Sequence, residues 1–344
     1  MTKMLSITIA LFVCAMFLVV PQSASANGRI PSIGIIDFFG LRSISEQQVR
    51  QALRIKEGDA LPESTKEVQR RLEALTNVEQ ARLNVTCCEA DKFILYVGIR
   101  EKGSPILRFR AAPKGAIRLP ANIAQAGEEH KKAWEEAVLK GDASEDASQG
   151  HALLSNPKVR AIQERYISFA AQDLERLRRV LREASDPEHR ALAAHIIAYH
   201  ANKREIVKDL VYGMSDPDSN VRNNSMRALG VLAVFANSSS EQRIEIPVEP
   251  FIDMLTSIEW TDRNKSSIAL YQLTEKRNPA VLSKLGEQTV PSLIEMSRWK
   301  SPGHALAPFF LLGRVGNLSE DEIKKAWESG NRETLIEKVL KRVK

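Results

Sequence analysis

The sequence predicts two structural units in series: an α+β module of order β-α-α-β-β, then an all-α solenoid of stacked helical hairpins. Three observations predict this. Apolar residues alternate over 81–85 and again over 93–99, the period of half-buried strands. Two Asp-Pro pairs, Asp186-Pro187 and Asp216-Pro217, stand 30 residues apart, a spacing expected of short helical repeats. After the second pair, Val221, Ser225, Ala228, Leu229 and Leu232 form one small or apolar stripe at helical spacing.

Residues 1–26 read as a signal peptide. Lys3 supplies a positive start, Leu5 to Val20 is an apolar run ended by Pro21, and Ala24-Ser25-Ala26 is a small-x-small cleavage site. The run is too short to span a bilayer comfortably. The chain is therefore expected to be exported, to a periplasmic location, and cut after Ala26. Of the three cysteines, Cys14 leaves with the signal, and adjacent Cys87 and Cys88 are no disulfide framework. Neighbouring Cα atoms are ~3.8 Å apart, below the ~4.4–6.8 Å usual for a bridge, so a vicinal bond would be strained. Cys87 and Cys88 are redox candidates on that ground. The alternatives are small strand residues facing opposite sides, or thiols that dimerise the protein.

Residues 27–102 form the first module. Ile33, Ile35 and Phe39 read as a buried strand turning at Gly40. Ser45 precedes Gln48 by three residues and Ser64 precedes Glu67 by three, both capping-box spacings at helix starts. Val49, Ala52 and Leu53 face inward on the first helix, and Val68, Leu72 and Leu75 on the second. Ala81, Leu83 and Val85, then Phe93, Leu95, Val97 and Ile99, make two strands joined by a turn at Glu89-Ala90-Asp91. With Ile-Lys-Glu-Gly-Asp at 55–59 and Val-Gly-Ile-Arg-Glu at 97–101, this order resembles a POTRA domain over about 29–102. The resemblance implies polypeptide binding, partly by adding a strand to an exposed sheet edge. Nothing after residue 120 looks like the barrel that POTRA modules usually precede.

Residues 103–157 change texture and read as a connector. Ile106 to Arg110 suggests one more short strand, Pro113, Gly115 and Pro120 punctuate a loop, and Glu128 to Leu139 is a helix. Of the chain's formal charge of +6, residues 27–120 carry +5 and residues 121–344 are neutral. Lys102, Arg108, Arg110, Lys114 and Arg118 form a basic stripe with no acid among them, a candidate contact for anionic lipid or an acidic protein, against the alternative of a solvated basic strand. Asp142, Ser144, Asp146 and Ser148 alternate oxygens as a calcium loop does. However, Ala147 stands where a turning glycine is wanted and Leu153 where an acid is, which favours a polar loop capping the next helix.

Residues 158–318 read as four helical hairpins, and 319–344 as capping helices. Leu174, Leu177, Val180 and Leu181 lie on one helix, Leu192 and Ile196 on the next; Ile206, Leu210 and Met214 repeat the first. Phe251, Met254, Leu255 and Leu270 form a third unit, and Val290, Leu293, Phe309 and Leu312 a fourth. The pattern resembles HEAT or armadillo-like repeats over about 160–318, most specifically at 215–233. That implies a right-handed superhelix, and a turn Asp with a second-helix Arg in each repeat: Asp186 with Arg190 and Asp216 with Arg222 fit, Asp262 with Arg263 fits poorly. Trp260 and Trp299, near turns, are candidate exposed anchors or, equally, plugs of inter-repeat gaps.

A solenoid offers broad binding faces rather than a reactive cleft. The expected function is an exported noncatalytic protein–protein interaction scaffold of the bacterial cell envelope, binding by strand addition on the POTRA-like sheet and by the solenoid surface. No cofactor is expected, nucleic acid is excluded by the lack of an aromatic-basic motif, and membrane contact is at most peripheral. The alternative is an enzyme. Some HEAT-like proteins resemble bilin lyases, and Gly150-His151-Ala152-Leu153 is echoed by Gly303-His304-Ala305-Leu306. A lyase or metal-dependent activity would need His151 and His304 to converge with the acids of 142–146.

Overall fold

The computed structural model describes residues 32–238 and 244–342. The signal peptide, its Ala26 cleavage site and Cys14 lie outside these residues, as does the side chain of Cys88. Strand β1 (Ile33–Phe39) is followed by helices α1 (Glu46–Leu53) and α2 (Thr65–Glu73), then strands β2 (Val78–Glu89) and β3 (Lys92–Glu101). The sheet order is β1-β3-β2, with β1 parallel and β2 antiparallel to the central β3. Ser45 closes a complete capping box with Gln48, whereas Ser64 accepts from the Glu67 N–H alone. Ile33, Ile36, Leu83, Leu95, Val97 and Ile99 bury one sheet face against Val49, Leu53, Val68 and Leu72. The β-α-α-β-β order is thus as expected.

The connector joins the helical core. Residues 104–119 run extended with no strand at 106–110, because their backbone bonds go to the turns of the solenoid: Arg110 N–H to Ser215 O, Gly115 N–H to Glu183 O. Helix α3 begins at Ala121, ahead of the expected Glu128, and ends at Leu139. A two-residue-per-strand hairpin, β4 (Glu145–Asp146) and β5 (Leu153–Leu154), replaces the expected loop. The long helix α4 (Pro157–Glu183) is interrupted at Asp173, and its second half starts the first repeat with α5 (Pro187–Ile197).

Next come α6 (Lys203–Met214) with α7 (Ser219–Ser238), and α8 (Glu249–Met254) with α9 (Trp260–Leu273). A short helix α10 (Pro279–Leu285) and a 3-10 turn precede α11 (Val290–Ser297) and α12 (Pro302–Val315). Helices α13 (Glu320–Glu328) and α14 (Arg332–Arg342) close the stack.

The Asp–Arg pairing differs from the expected one within each repeat. Arg190 reaches the next unit's Asp216 with two bonds of 2.9 and 3.0 Å, and Arg222 reaches Asp262 likewise. Each guanidinium also holds its own turn, Arg190 through Ala184 O and Ser185 O, Arg222 through Asp216 O and Pro217 O. Arg263 continues the series to Glu295 at 2.5 Å, so the ladder persists where the sequence looked irregular. Asp218 caps α7 through the N–H groups of Asn220 and Val221, while Asp216 accepts from Asp218 N–H and takes the ladder position.

Candidate functional site

The second face of the sheet is also buried. Alternation along β3 puts Ile94, Tyr96 and Gly98 opposite the α1–α2 core, and Ile94, Tyr96 and Phe39 belong to the same apolar core as the solenoid. Trp260, the first residue of α9, stacks on Tyr96 with ring centroids 4.8 Å apart. Trp299, in the α11–α12 turn, meets Tyr96 at 5.1 Å and Phe39 at 6.0 Å. The tryptophans are only 1% and 2% exposed, so they are not the surface anchors considered above. They plug the joint between sheet and solenoid, because the sheet would otherwise leave an apolar face in water.

Polar groups fix the joint in register. Asn84 accepts from the backbone N–H of Trp260 and donates to Glu259, which also receives Arg82. Burial, then the nearby Asp262 charge, pushes the Glu259 carboxyl up, while Asn84 and Arg82 pull it down. Asp37 is likewise raised by burial and opposed by Lys300, whose N–H it accepts at 2.9 Å. Gly98 lies against the turn between α8 and α9. A Cβ there would stand 2.2 Å from Ile258 O and 2.7 Å from the Phe39 ring. Gly98→Ala is expected to cost about 1–3 kcal/mol through overpacking, whereas Gly303→Ala, with open space around it, should stay near the parent in urea denaturation. Equal midpoints for the two variants would remove Gly98 from the joint.

Beside this plug lies a cleft of about 510 Å³ between the loop after β1 and the solenoid, lined by Phe38, Leu41 and Arg42 on one side and Ile258, Pro291 and Ile294 on the other. Its volume falls in the range of ligand sites, which favour such junctions. The loop is held from below by Glu101. Burial raises its pKa, but the Ser43 hydroxyl and the N–H groups of Arg42, Ser43 and Ile44 outweigh it and hold the carboxylate at about 2. On the far wall Glu295 accepts from Gly40 N–H and Arg263. Sequence reasoning missed Tyr96, Asn84, Glu259 and Glu295. The apolar Ile94 and Tyr96, out of phase with the core set, were the available signal for a second buried face.

The sheet edges are partly closed. On β1, Ile33 bonds to Gly58 and Asp59, and Ile36 O accepts from the Lys300 ammonium at 2.8 Å. On β2, Ala81 N–H goes to Glu73 and Ala81 O to Arg82. Strand alternation puts the backbone groups of Leu83 and Val85 on that same outer edge.

The other sequence candidates are dispersed. Lys102, Arg108, Lys114 and Arg118 are exposed along the extended connector. Arg110 is instead turned inward to pair with Asp216 and lie 3.9 Å over the Tyr212 ring, and Arg118 pairs with Asp186 at 3.5 Å. The five cations are therefore not one open stripe. Asp142 accepts from Asn156, Ser144 pairs with Ser155, and Asp146 accepts from Ser148 N–H, so the oxygen-rich loop is spent on the hairpin and the start of α4.

His151 contacts Lys203 and Tyr199, while His304 shares a hydrogen bond of 2.7 Å with the Tyr96 hydroxyl and packs on Trp260. The two histidines thus have different neighbours: the Asp146 charge acts on His151, while His304 sits among Tyr96, Trp260 and the Lys265 charge. Among the described residues no group of three or more His, Cys, Asp or Glu is placed to hold a metal ion. Cys87 is buried and disulfide-bonded, where the register of β2 on β3 shifts between Thr86 and Glu89. No described helix is long and apolar enough to cross a membrane.

A family model described as HEAT repeats matches residues 174–245. Among solved structures, the designed armadillo repeat protein YIII(Dq)4CqI is similar at 14% identity and a TM-score of 0.35, over 55% of this chain and 95% of that one. No curated protein matches. The chain thus carries a small mixed-sheet module followed by helical repeats, a fold typical of protein-interaction scaffolds.

Proposed function

We propose that the chain is exported, is cut after Ala26, and serves in the bacterial cell envelope as a noncatalytic protein–protein interaction scaffold. In this reading the N-terminal module is POTRA-like and the repeats form a right-handed HEAT-type superhelix. The observation that carries it is a stack of helical repeats packed on one face of a sheet through a shared apolar core, with a cleft of about 510 Å³ at the joint. An extended segment of a partner adds to the β2 edge at Leu83–Val85, and side chains dock in the cleft; linking two weak sites raises their joint affinity.

Photo-crosslinking residues at Val85 and at Thr256, which lines the cleft, test this in an envelope fraction against a control at exposed Glu328. Export predicts an intact mass lacking residues 1–26. The same protein adduct at Val85 and Thr256, and none at Glu328, supports the reading. Equal labelling at all three sites, or retention of residues 1–26, overturns it.

A further inference from the structure

A second, partly open cavity lies between the connector and the repeats and shares no lining residue with the cleft. It is about 30 Å³ and is walled by His130 of α3, His151 of the β4–β5 hairpin, His195 of α5 and Arg227 of α7. One water needs roughly 10–15 Å³ of such space, so the cavity admits an object of one or two atoms and no organic substrate.

Donors gather at and behind the wall; Lys203 is not on the lining but holds His151 through the ring nitrogen away from the cavity. Lys203, 2% exposed, directs its ammonium to Ala198 O at 2.8 Å and to His151 Nδ1 at 3.0 Å. An ammonium only donates, so Nδ1 of His151 accepts and the ring proton sits on Nε2. That Nε2–H is buried without a partner, and so is Nε2 of His130, in side chains that are 6% and 3% exposed. Buried polar groups in native proteins are nearly always satisfied, so an unpaired donor facing a cavity calls for an acceptor within it.

Cations surround the cavity: Arg227 and Lys265 line it and Lys203 stands behind His151, while the Asp146 carboxylate acts on His151 in the opposite sense. Arg227 pairs with Glu145, whereas both acceptors of the Lys203 ammonium are neutral. Burial lowers Lys203 only to about 8, leaving it charged at neutral pH. Burial and then the Arg227 charge keep His130 near 4, so that ring contributes no positive charge of its own. A buried charge needs a counter-charge.

We propose that this cavity binds a small inorganic anion of halide size, held by His151 Nε2–H and the field of Lys203 and Arg227. Seated there, the anion ties α3 and the hairpin to the repeats. A water would fill the space but bring no compensating charge.

Crystals of the full mature chain grown in sodium bromide, with anomalous data at the bromine edge, locate the ion directly. In solution, thermal unfolding is compared in sodium chloride and sodium gluconate at equal ionic strength. The expected results are an anomalous peak within reach of His151 Nε2, and a Tm that climbs by roughly 2–4 °C for each tenfold rise in chloride above its Kd. His151→Phe should abolish the chloride dependence whatever its own Tm. Equal Tm values in the two salts, a chloride dependence unchanged in His151→Phe, or water alone in the cavity would overturn the proposal. Should His151→Phe fail to fold, the bromide map of the unaltered chain decides.

Discussion

Arg222→Ala should destabilise the chain by about 3–5 kcal/mol, the loss expected when one partner of a buried ion pair is removed. Domains of this kind are stable by only ~5–15 kcal/mol, so the variant sits close to unfolding. The size follows from what the guanidinium holds. It satisfies Asp262, fully buried on α9, with two bonds, and closes its own turn through Asp216 O and Pro217 O. It also lies 3.9 Å from the ring of Phe109, so the extended connector loses its seat on the stack.

After truncation Asp262 retains the Ser257 hydroxyl at 2.8 Å. The paired change Arg222→Met with Asp262→Leu should recover most of the loss, because an apolar pair of similar volume leaves no buried charge. Arg298→Ala is the contrast. Its pair with Glu333 is 53% exposed on both sides and should be worth under about 1 kcal/mol. Urea denaturation of the four proteins compares these costs; a cost below about 1 kcal/mol for Arg222→Ala would show that the ladder is decoration.

That ladder also marks how far sequence alone reaches. Both halves of the fold were readable, since strand alternation and the Asp-Pro turns are local patterns. The offset of the ladder was not, because Arg190 meets Asp216 only once two repeats have stacked. The uninterrupted apolar run from Phe93 to Val97 carried the news that β3 is buried on both faces. What it could not say is which element covers the second face, and Trp260 and Trp299 look alike as exposed anchors or as plugs until that is known. The β4–β5 hairpin escaped because two paired residues per strand leave no period to detect. The early start of α3 escaped because Pro120 supplies no side-chain cap. His151 and His304 share a tetrapeptide yet play unrelated parts, since similar letters fix only the local chain and not its neighbours.

Lowering the pH from 7 to 4 should remove about as much stability as the chain is expected to possess. Burial, then the Lys265 charge, holds His304 near 3; burial, then Arg227, holds His130 near 4. In the unfolded chain both titrate near ~6.5. Between about pH 6.5 and 4 the unfolded state therefore binds protons that the folded state refuses, and stability falls as pH falls. Each histidine contributes about 1.4 kcal/mol per pH unit, so the pair gives about 2.7 kcal/mol per unit over that window.

His195, pushed well below its usual value by burial, acts in the same direction. Asp37 and Glu259, whose carboxyls are raised, act in the opposite sense at the lower end. The depressed Glu101 adds its own loss only below about pH 4.5, where its unfolded form protonates. His304→Asn offers the Tyr96 hydroxyl an acceptor and cannot take up a proton. Its stability should decline with acid about 1.4 kcal/mol per unit less steeply than the parent. Denaturant midpoints at pH 7.5, 6.5, 5.5 and 4.5 measure both slopes. A parent curve flat from pH 7 to 5 would mean that these rings gain protons in the folded state as readily as in water, and that the aromatic joint around Tyr96 is open to solvent.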